Sequence, residues 1–467
     1  MTSTPFSNPT WRRLFSAQIT SLVGTGITTI ALALLAWDLA GNKAGEVLGT
    51  ALALKMVVYV FVAPVMGSYA HKLPRRTWLV SLDLVRVAII LCLPFVTEVW
   101  QIYVLIVALN TCAAGFTPAF QATIPDIIKD EGQYRQALSW AQMAYSLEQV
   151  ISPTVAALLL TVMTYTGLFL LDAVTFVISA LLVLSCTLPT PRPVDRFDGV
   201  LENLRFGMVS YLRTPRLRAV WVMYFAVASA SAMVIVNTVI YVRDYLGRIE
   251  SDIAWAIAAT GTGSMIAAFL VPTMLARWEI RNVMLGGSML LAVSLMIGQL
   301  MFSWPIFLVL WCLIGAGLAM VQTPVGSLVR RSCQESDSAA YFSANFSLSH
   351  FCWFSSYLLA GYVGSVFGLA NAFLVLGSIS LAAVMLAWWM YPNPDPVEIE
   401  HIHQEIVHSH HHVHDDEHHQ PDEYHELHED HEDPFGAEQG HRHKHKHKPI
   451  VHQHPYVIDR HHPRWVN

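Results

Sequence analysis

Residues 47–97 read VLGTALALKMVVYVFVAPVMGSYAHKLPRRTWLVSLDLVRVAIILCLPFVT, two long apolar stretches (47–70 and 77–97) that meet at a short basic turn. A helix needs about 20 mostly apolar residues to cross the hydrocarbon core of a bilayer. Both stretches reach that length, and the Pro and charges of the turn stop them where the backbone can meet water again. Outward from this pair the same pattern recurs at 12–37, 101–125, 136–162, 165–188, 218–243, 252–276, 281–300, 304–329, 339–366 and 369–391. The chain is therefore predicted to be an all-α integral membrane protein with twelve transmembrane helices in the lipid bilayer. The first span is followed quickly by a second, so it is read as retained and not as a cleaved signal peptide.

Composition supports this reading. Of 467 residues 54% are apolar and 13% charged, with a mean hydropathy of +0.44. A soluble globular protein carries about 25% charged residues. The charge is unevenly spread: residues 1–391 hold 22 Lys+Arg against 18 Asp+Glu, whereas 392–467 hold 6 against 16 together with 20 of the 22 histidines. A near-neutral apolar body with an acidic, His-rich tail excludes a nucleic-acid binder, a secreted disulfide scaffold and an ordinary soluble enzyme. Cys92, Cys112, Cys186, Cys312, Cys333 and Cys352 are scattered without a CxxC pair, so they are read as small packing residues. No Gly-x-x-x-x-Gly-Lys-Ser/Thr run cradles a phosphate and no catalytic Ser/His/Asp or Cys/His grouping stands out, so neither an enzyme nor a required cofactor is expected.

Orientation follows from the connections. One side receives 17 Lys and Arg, among them Arg12, Arg13, Lys72, Arg75, Arg76 and the six arginines between 192 and 218; the other receives only Lys43, Arg243 and Arg248. The positive-inside rule places the basic side in the cytoplasm. With twelve spans both termini and the tail then lie there. The long connection 189–217 divides the body into a first half, 1–188, and a second, 218–391. An internal echo accompanies the division: Gly115-Phe-Thr117-Pro118 and Val321-Gln-Thr323-Pro324 lie 206 residues apart, followed by the small or polar runs Ala137-Leu-Ser139 and Ser343-Ala-Asn345.

Gly67-Ser-Tyr-Ala-His71-Lys72-Leu-Pro74-Arg75-Arg76 resembles the major facilitator signature G-x-x-x-D-[RK]-x-G-R-[RK], with His71 in the usual Asp position and Pro74 in the usual Gly position. The resemblance implies two six-helix halves in the major facilitator fold. It also implies gating roles for Gly67, His71, Lys72, Arg75 and Arg76, with His71 in the Asp position either removing the usual charge latch or making it pH-dependent. Ile124-Pro125-Asp126-Ile127 and Leu171-Asp172-Ala-Val-Thr-Phe176 resemble the multidrug and siderophore-exporter branch. With its His-rich tail the whole chain is similar to the NreB-type nickel-resistance exporters, which implies a monomer in the bacterial inner (plasma) membrane.

The tail, 392–467, has few large apolar residues and is expected to be disordered without a ligand. Its histidines cluster as His408, His410, His411, His412 and His414; His418 and His419; His425, His428 and His431; then His441, His443, His445 and His447. Imidazoles interleaved with carboxylates suit nickel, zinc, cobalt(II) or copper(II), and the absence of Cys and Met from the tail disfavours copper(I). Loose binding of several ions at the cytoplasmic mouth is the expectation.

An ionisable residue deep in a span costs at least ~2.5–3.5 kcal/mol, so each is a functional candidate. Glu148 lies mid-span in the fifth helix, His350 in the eleventh, and Lys55 about a third of the way along the second. By resemblance Lys55 approaches His350, leaving the imidazole as a metal ligand, while Glu148 carries the proton that drives efflux. Asn110 and Gln322 lie on cavity-lining helices by the same analogy, as ligands or interhelical hydrogen bonds. Asp83 and Arg86, three apart, are expected to form an ion pair that stabilises the gate region. Asp172 is read as packing or gating. The combined expectation is proton-coupled efflux of a divalent metal, nickel first, with metal and protons as partners. A drug or siderophore exporter with a metal-sensing tail stays open as the alternative, and a non-transporting metal buffer behind it.

Overall fold

The computed structural model describes residues 4–41, 44–69, 74–189, 200–334, 337–395 and 457, and four further backbone segments of the tail given below. Helices dominate: α1 (Pro9–Ala40), α2 (Ala44–Tyr69), α3 (Arg75–Cys92), α4 (Val99–Ile127), α5 (Glu131–Leu159) and α6 (Tyr165–Leu184) form the first half. A short α7 (Val200–Arg213) follows. The second half begins with α8 (Pro215–Ala232), which runs on through two π-turns and α9 (Thr238–Ile240) to Tyr245. It continues with α10 (Glu250–Leu275), α11 (Ile280–Gly298), α12 (Trp304–Gln322), α13 (Val325–Arg331), α14 (Ser338–Phe367) and α15 (Leu369–Met390).

Each expected span corresponds to one helix or one broken helix, with ends within a few residues. Ten of the twelve are apolar enough throughout to qualify as spans by length and composition. The remaining two, α5 and α14, are 29 and 30 residues long but more polar, carrying Gln142, Ser146 and Glu148 in one and Ser343, Asn345, Ser347 and His350 in the other. Much of that polarity has a structural reason: Gln142, Ser146, Asn345 and His350 line the central cavity.

Caps and breaks follow local chemistry. Asn8 caps α1 by accepting from the backbone N–H groups of Thr10 and Trp11, and Asp130 caps α5 through Gln133. Glu98 and Gln101 form a reciprocal capping box at α4. Pro324 separates α12 from α13, as expected where a ring replaces the backbone donor. In the second half α10 and α12 pack backbone to backbone: Gly263 of α10 lies against the backbone of Cys312 and Gly315 of α12 against that of Thr260, leaving no room for a Cβ at either position.

One reading changes here. The connection 189–217 is not all loop: α7 is amphipathic, and its Tyr211 is fully buried. The expected Asp83–Arg86 ion pair is present, 3.2 Å apart, buried at mid-helix inside the first half. Asp83 also accepts from Ser179 Oγ of α6 at 2.8 Å, and the Arg86 guanidinium lies over Phe116 and Phe176, so the pair knits α3, α4 and α6 together.

Residues Pro396–Tyr456 of the tail belong to a separate unit. Its described backbone runs as β1 (Glu398–His403), β2 (Ile406–His412), β3 (His441–His447) and β4 (Ile450–Pro455), with β1 antiparallel to β4 and β2 to β3. In β3 every second residue is His, the period of a strand. Two-stranded ladders alone are marginal in water, so this pairing adds no packed core to a segment whose composition lacks one. His414, His418, His419, His425, His428 and His431 of the tail lie outside the described residues, as do His71 and Lys72.

Candidate functional site

The two halves meet around a central cavity of about 480 Å³. Its wall is drawn from both: Gln18, Lys55, Tyr59, Thr117, Phe120, Gln121, Gln142 and Tyr145 from the first, and Tyr224, Gln322, Thr323, Phe342, Asn345, Phe346, His350, Trp353 and Tyr357 from the second. The Thr-Pro echo thus places Thr117 and Thr323 on the same cavity.

His350 sits in an aromatic cage. Its ring centroid is 4.7 Å from Tyr59, 4.1 Å from Phe346 and 4.8 Å from Trp353. Nδ1 lies 2.7 Å from the Phe346 carbonyl; with that nitrogen donating, Nε2 is the position left to accept a proton or a ligand. The Lys55 ammonium stands 5.5 Å from the Tyr59 ring centroid, so Tyr59 touches both ionisable groups. Lys55 interacts electrostatically with His350 and with Glu148.

Glu148 lies at mid-helix in α5. It is outside the cavity lining and packs toward α1, where a Cβ at Gly26 would come within 2.6 Å of Oε1. Asn110 is buried in α4, a helix that does line the cavity, and donates to its own helix at Ile106 O, 2.7 Å away. Gln322 does line the cavity and accepts from Gln142 across the halves at 3.4 Å. Asp172 is a packing residue, accepting from Thr28 of α1 at 2.5 Å and from Thr175. Among the described residues no group of three or more His, Cys, Asp or Glu is placed to hold a metal ion.

The hydrogen bonds described between the halves lie toward the end of the bundle that carries the basic connections. From α5, Ser139 Oγ donates to Ala268 O, Ser146 and Ser264 share a 2.7 Å bond, and Arg135 reaches Leu275 O at 3.3 Å. From the corresponding α14, Ser343 Oγ donates to Ala63 O at 2.6 Å and Ser347 Oγ to Val60 O. The polar runs of the internal echo therefore perform the same task in each half. Gly67 of α2 is pressed against Ser343, where any Cβ would collide with the serine side chain. Arg330, at the end of α13, spans the halves with 3.5 and 3.1 Å bonds to the carbonyls of Ile128 and Lys129 and lies 5.0 Å from the Tyr134 ring centroid. Arg75 stays within the first half, paired with Asp126 and bonded to Ala122 O at 2.8 Å, while Arg76 is exposed.

Sequence reasoning missed two supports. Tyr211 of α7 donates to Asn345 Oδ1 at 2.8 Å, and the Asn345 amide reaches the Tyr224 hydroxyl at 3.4 Å, which ties the connecting helix to the cavity wall. Burial pushes the Tyr211 phenol far above its usual range, keeping it a donor. At the root of the tail Asp395 pairs with Arg216 at 3.2 Å and Arg331 at 3.7 Å; Arg216 is 1% exposed and also binds Ser332 Oγ and Arg331 O.

The family model for the Major Facilitator Superfamily matches twice, over residues 14–247 and 220–408. The chain belongs to the Major Facilitator Superfamily. As a superfamily member it is a multi-pass membrane transporter. It is similar to the uncharacterized MFS-type transporter YfiS of Bacillus subtilis, 21% identical over 380 residues that cover 78% of this chain and 89% of that one. Macrolide efflux protein A of Streptococcus pyogenes is 24% identical over 195 residues, 41% of this chain and 47% of the relative. Among solved structures, the human organic anion transporter MFSD10 aligns with a TM-score of 0.71 at 13% identity, covering 81% of this chain and 99% of its own. A bacterial homologue of the iron transporter ferroportin, in an outward-facing state, aligns with a TM-score of 0.65 at 16% identity, covering 82% and 98%. These two likenesses establish the fold.

Proposed function

We propose that this superfamily member exports a divalent transition metal, nickel first, in exchange for protons, from the side facing its basic connections, which the charge rule makes the cytoplasm. The observation that carries the reading is the tail: twenty histidines in residues 392–467, on a transporter body. The backbone register adds to it, setting His408, His410 and His412 opposite His445, His443 and His441. Inside the membrane His350 supplies one imidazole nitrogen to the passing ion. The side-chain amides of Gln142 and Gln322 supply oxygen, and a weak, partly hydrated site suits an ion that must be released. The macrolide-efflux relative supports export as the direction. Glu148, electrostatically joined to Lys55, is the proposed proton carrier, acting through Lys55 on the cavity it does not line.

The test is nickel uptake into inverted membrane vesicles with and without an imposed proton gradient. Gradient-dependent accumulation that is lost in Glu148→Gln is the expected result. No accumulation of nickel, cobalt or zinc overturns the reading and favours a second one, export of an organic molecule with the tail as metal sensor. The observation favouring that alternative is the aromatic, amide-rich wall, which brings no cluster of metal ligands together among the described residues.

A further inference from the structure

The charge in the lining of the central cavity has one sign. Lys55 lines it, and among the described residues no Asp or Glu does. His350 adds no negative charge, because an imidazole is either neutral or positive. Gln121, Gln142, Gln322 and Asn345 are neutral amides. Glu148, which interacts with Lys55, lies outside the lining, so the charged group offered to a cargo is the ammonium. Beside it runs a continuous aromatic surface. Nζ is 5.5 Å from the Tyr59 ring centroid, Tyr59 is 4.7 Å from His350, and His350 is 4.1 Å from Phe346 and 4.8 Å from Trp353. All of these rings line the cavity. A positive end flanked by rings complements an anionic head on a flat apolar body. An organic cation is repelled by Lys55, and the protein walls weaken the screening that water would give. The volume, about 480 Å³, is that of a small-molecule site and far exceeds what an ion needs.

We propose that this cavity carries an aromatic organic monoanion, a carboxylate or sulfonate, with its head at the Lys55 ammonium and its ring against Tyr59, His350 and Trp353. The inference goes beyond the metal reading, because it stands on the lining and not on the tail, and it gives the second reading its chemical class. A charge-assisted hydrogen bond to the head is the strong contact, and the rings cover the body. Export of such an anion needs no proton: a cell is negative inside, so a negative charge leaving it runs down the membrane potential. Nickel and the anion are then separate cargoes with separate driving forces. The arrangement also gives a use to a lysine within a span, where a charge is costly to place.

The test uses the full chain in inverted vesicles and two radiolabelled probes that share one body and differ in charge, naphthalene-2-sulfonate and trimethyl(2-naphthyl)ammonium. A potassium gradient with valinomycin sets the potential, and each probe is given the polarity that favours its entry. The sulfonate is expected to accumulate at least fivefold above vesicles lacking the protein, and the ammonium probe to show no excess. Lys55→Gln is expected to abolish sulfonate entry and Lys55→Arg to retain at least half of it. Tyr59→Leu keeps the charge and removes a ring, and should raise the half-saturating sulfonate concentration at least threefold. Entry of the ammonium probe as fast as the sulfonate overturns the proposal. So does sulfonate entry that survives Lys55→Gln, an unchanged half-saturation in Tyr59→Leu, or no sulfonate entry with the unaltered chain. Nickel uptake under a proton gradient is read in the same vesicles. Nickel flux without sulfonate entry leaves the metal reading standing, and sulfonate entry without nickel flux removes the metal reading alone.

Discussion

At Gly67 the missing side chain is the functional feature. Ser343 of the opposite half fills the space a Cβ would need, and its hydroxyl is already committed to Ala63 O, so the serine cannot swing away without losing that bond. Gly67→Val is expected to cut vesicle transport at least tenfold by holding the halves apart, and Gly67→Ala to be partly rescued by Ser343→Gly. A different residue-scale prediction concerns Asp83. Replacing it by Ala leaves the Arg86 guanidinium, 5% exposed, without its carboxylate, and losing one partner of a buried pair costs about 3–5 kcal/mol. The melting temperature of the purified protein should fall accordingly. Ser179→Ala, which removes only one hydrogen bond to Asp83, should cost about 1 kcal/mol.

At the scale of elements, α7 tests whether a connecting segment takes part in the machinery. Tyr211→Phe deletes the donor to Asn345 and leaves a buried amide oxygen unmatched, a loss of about 1–3 kcal/mol that thermal unfolding would register. Tyr224→Phe should act on the same asparagine, so the double variant is expected to be less than additive. Neither contact was legible in the sequence. The spans were, because lipid imposes one length and one composition on every crossing helix, and Pro and charge mark the ends. α7 was not, because its 14 residues lie within a Pro- and Arg-rich connection that reads as loop. The site divides in the same way. Lys55 and His350 could be singled out as polar groups in apolar helices, but only packing reveals that Tyr59 touches both. Mid-span position said nothing about helix rotation, which turns Glu148 and Asn110 away from the cavity and Gln142 and Gln322 into it.

At the scale of the whole molecule, the two halves grip one another through α5 with α10 and α14 with α2, and the described bonds gather toward the basic end. A transporter that alternates access must break these bonds once per cycle. Ser146 and Ser264, 2.7 Å apart, are suited to capture that event: in Ser146→Cys/Ser264→Cys an oxidant should stop vesicle transport and a reductant restore it, with each single variant insensitive. Nickel bound to the purified full chain should drop as pH falls from 7.5 to 5.5, because imidazole protonates near 6.5 and a protonated ring has no lone pair to donate; equilibrium dialysis would measure it. Nickel flux itself should survive shortening of the tail beyond Asp395. That last residue has a mechanical consequence. Asp395 is clamped by a buried arginine that is itself fastened to Ser332 and Arg331, so it acts as strain relief on a cable. Tension or bulk added downstream, whether from a fused reporter, a surface tether or ions cross-linking the histidines, is taken up at that anchor before it can tug on the last membrane helix.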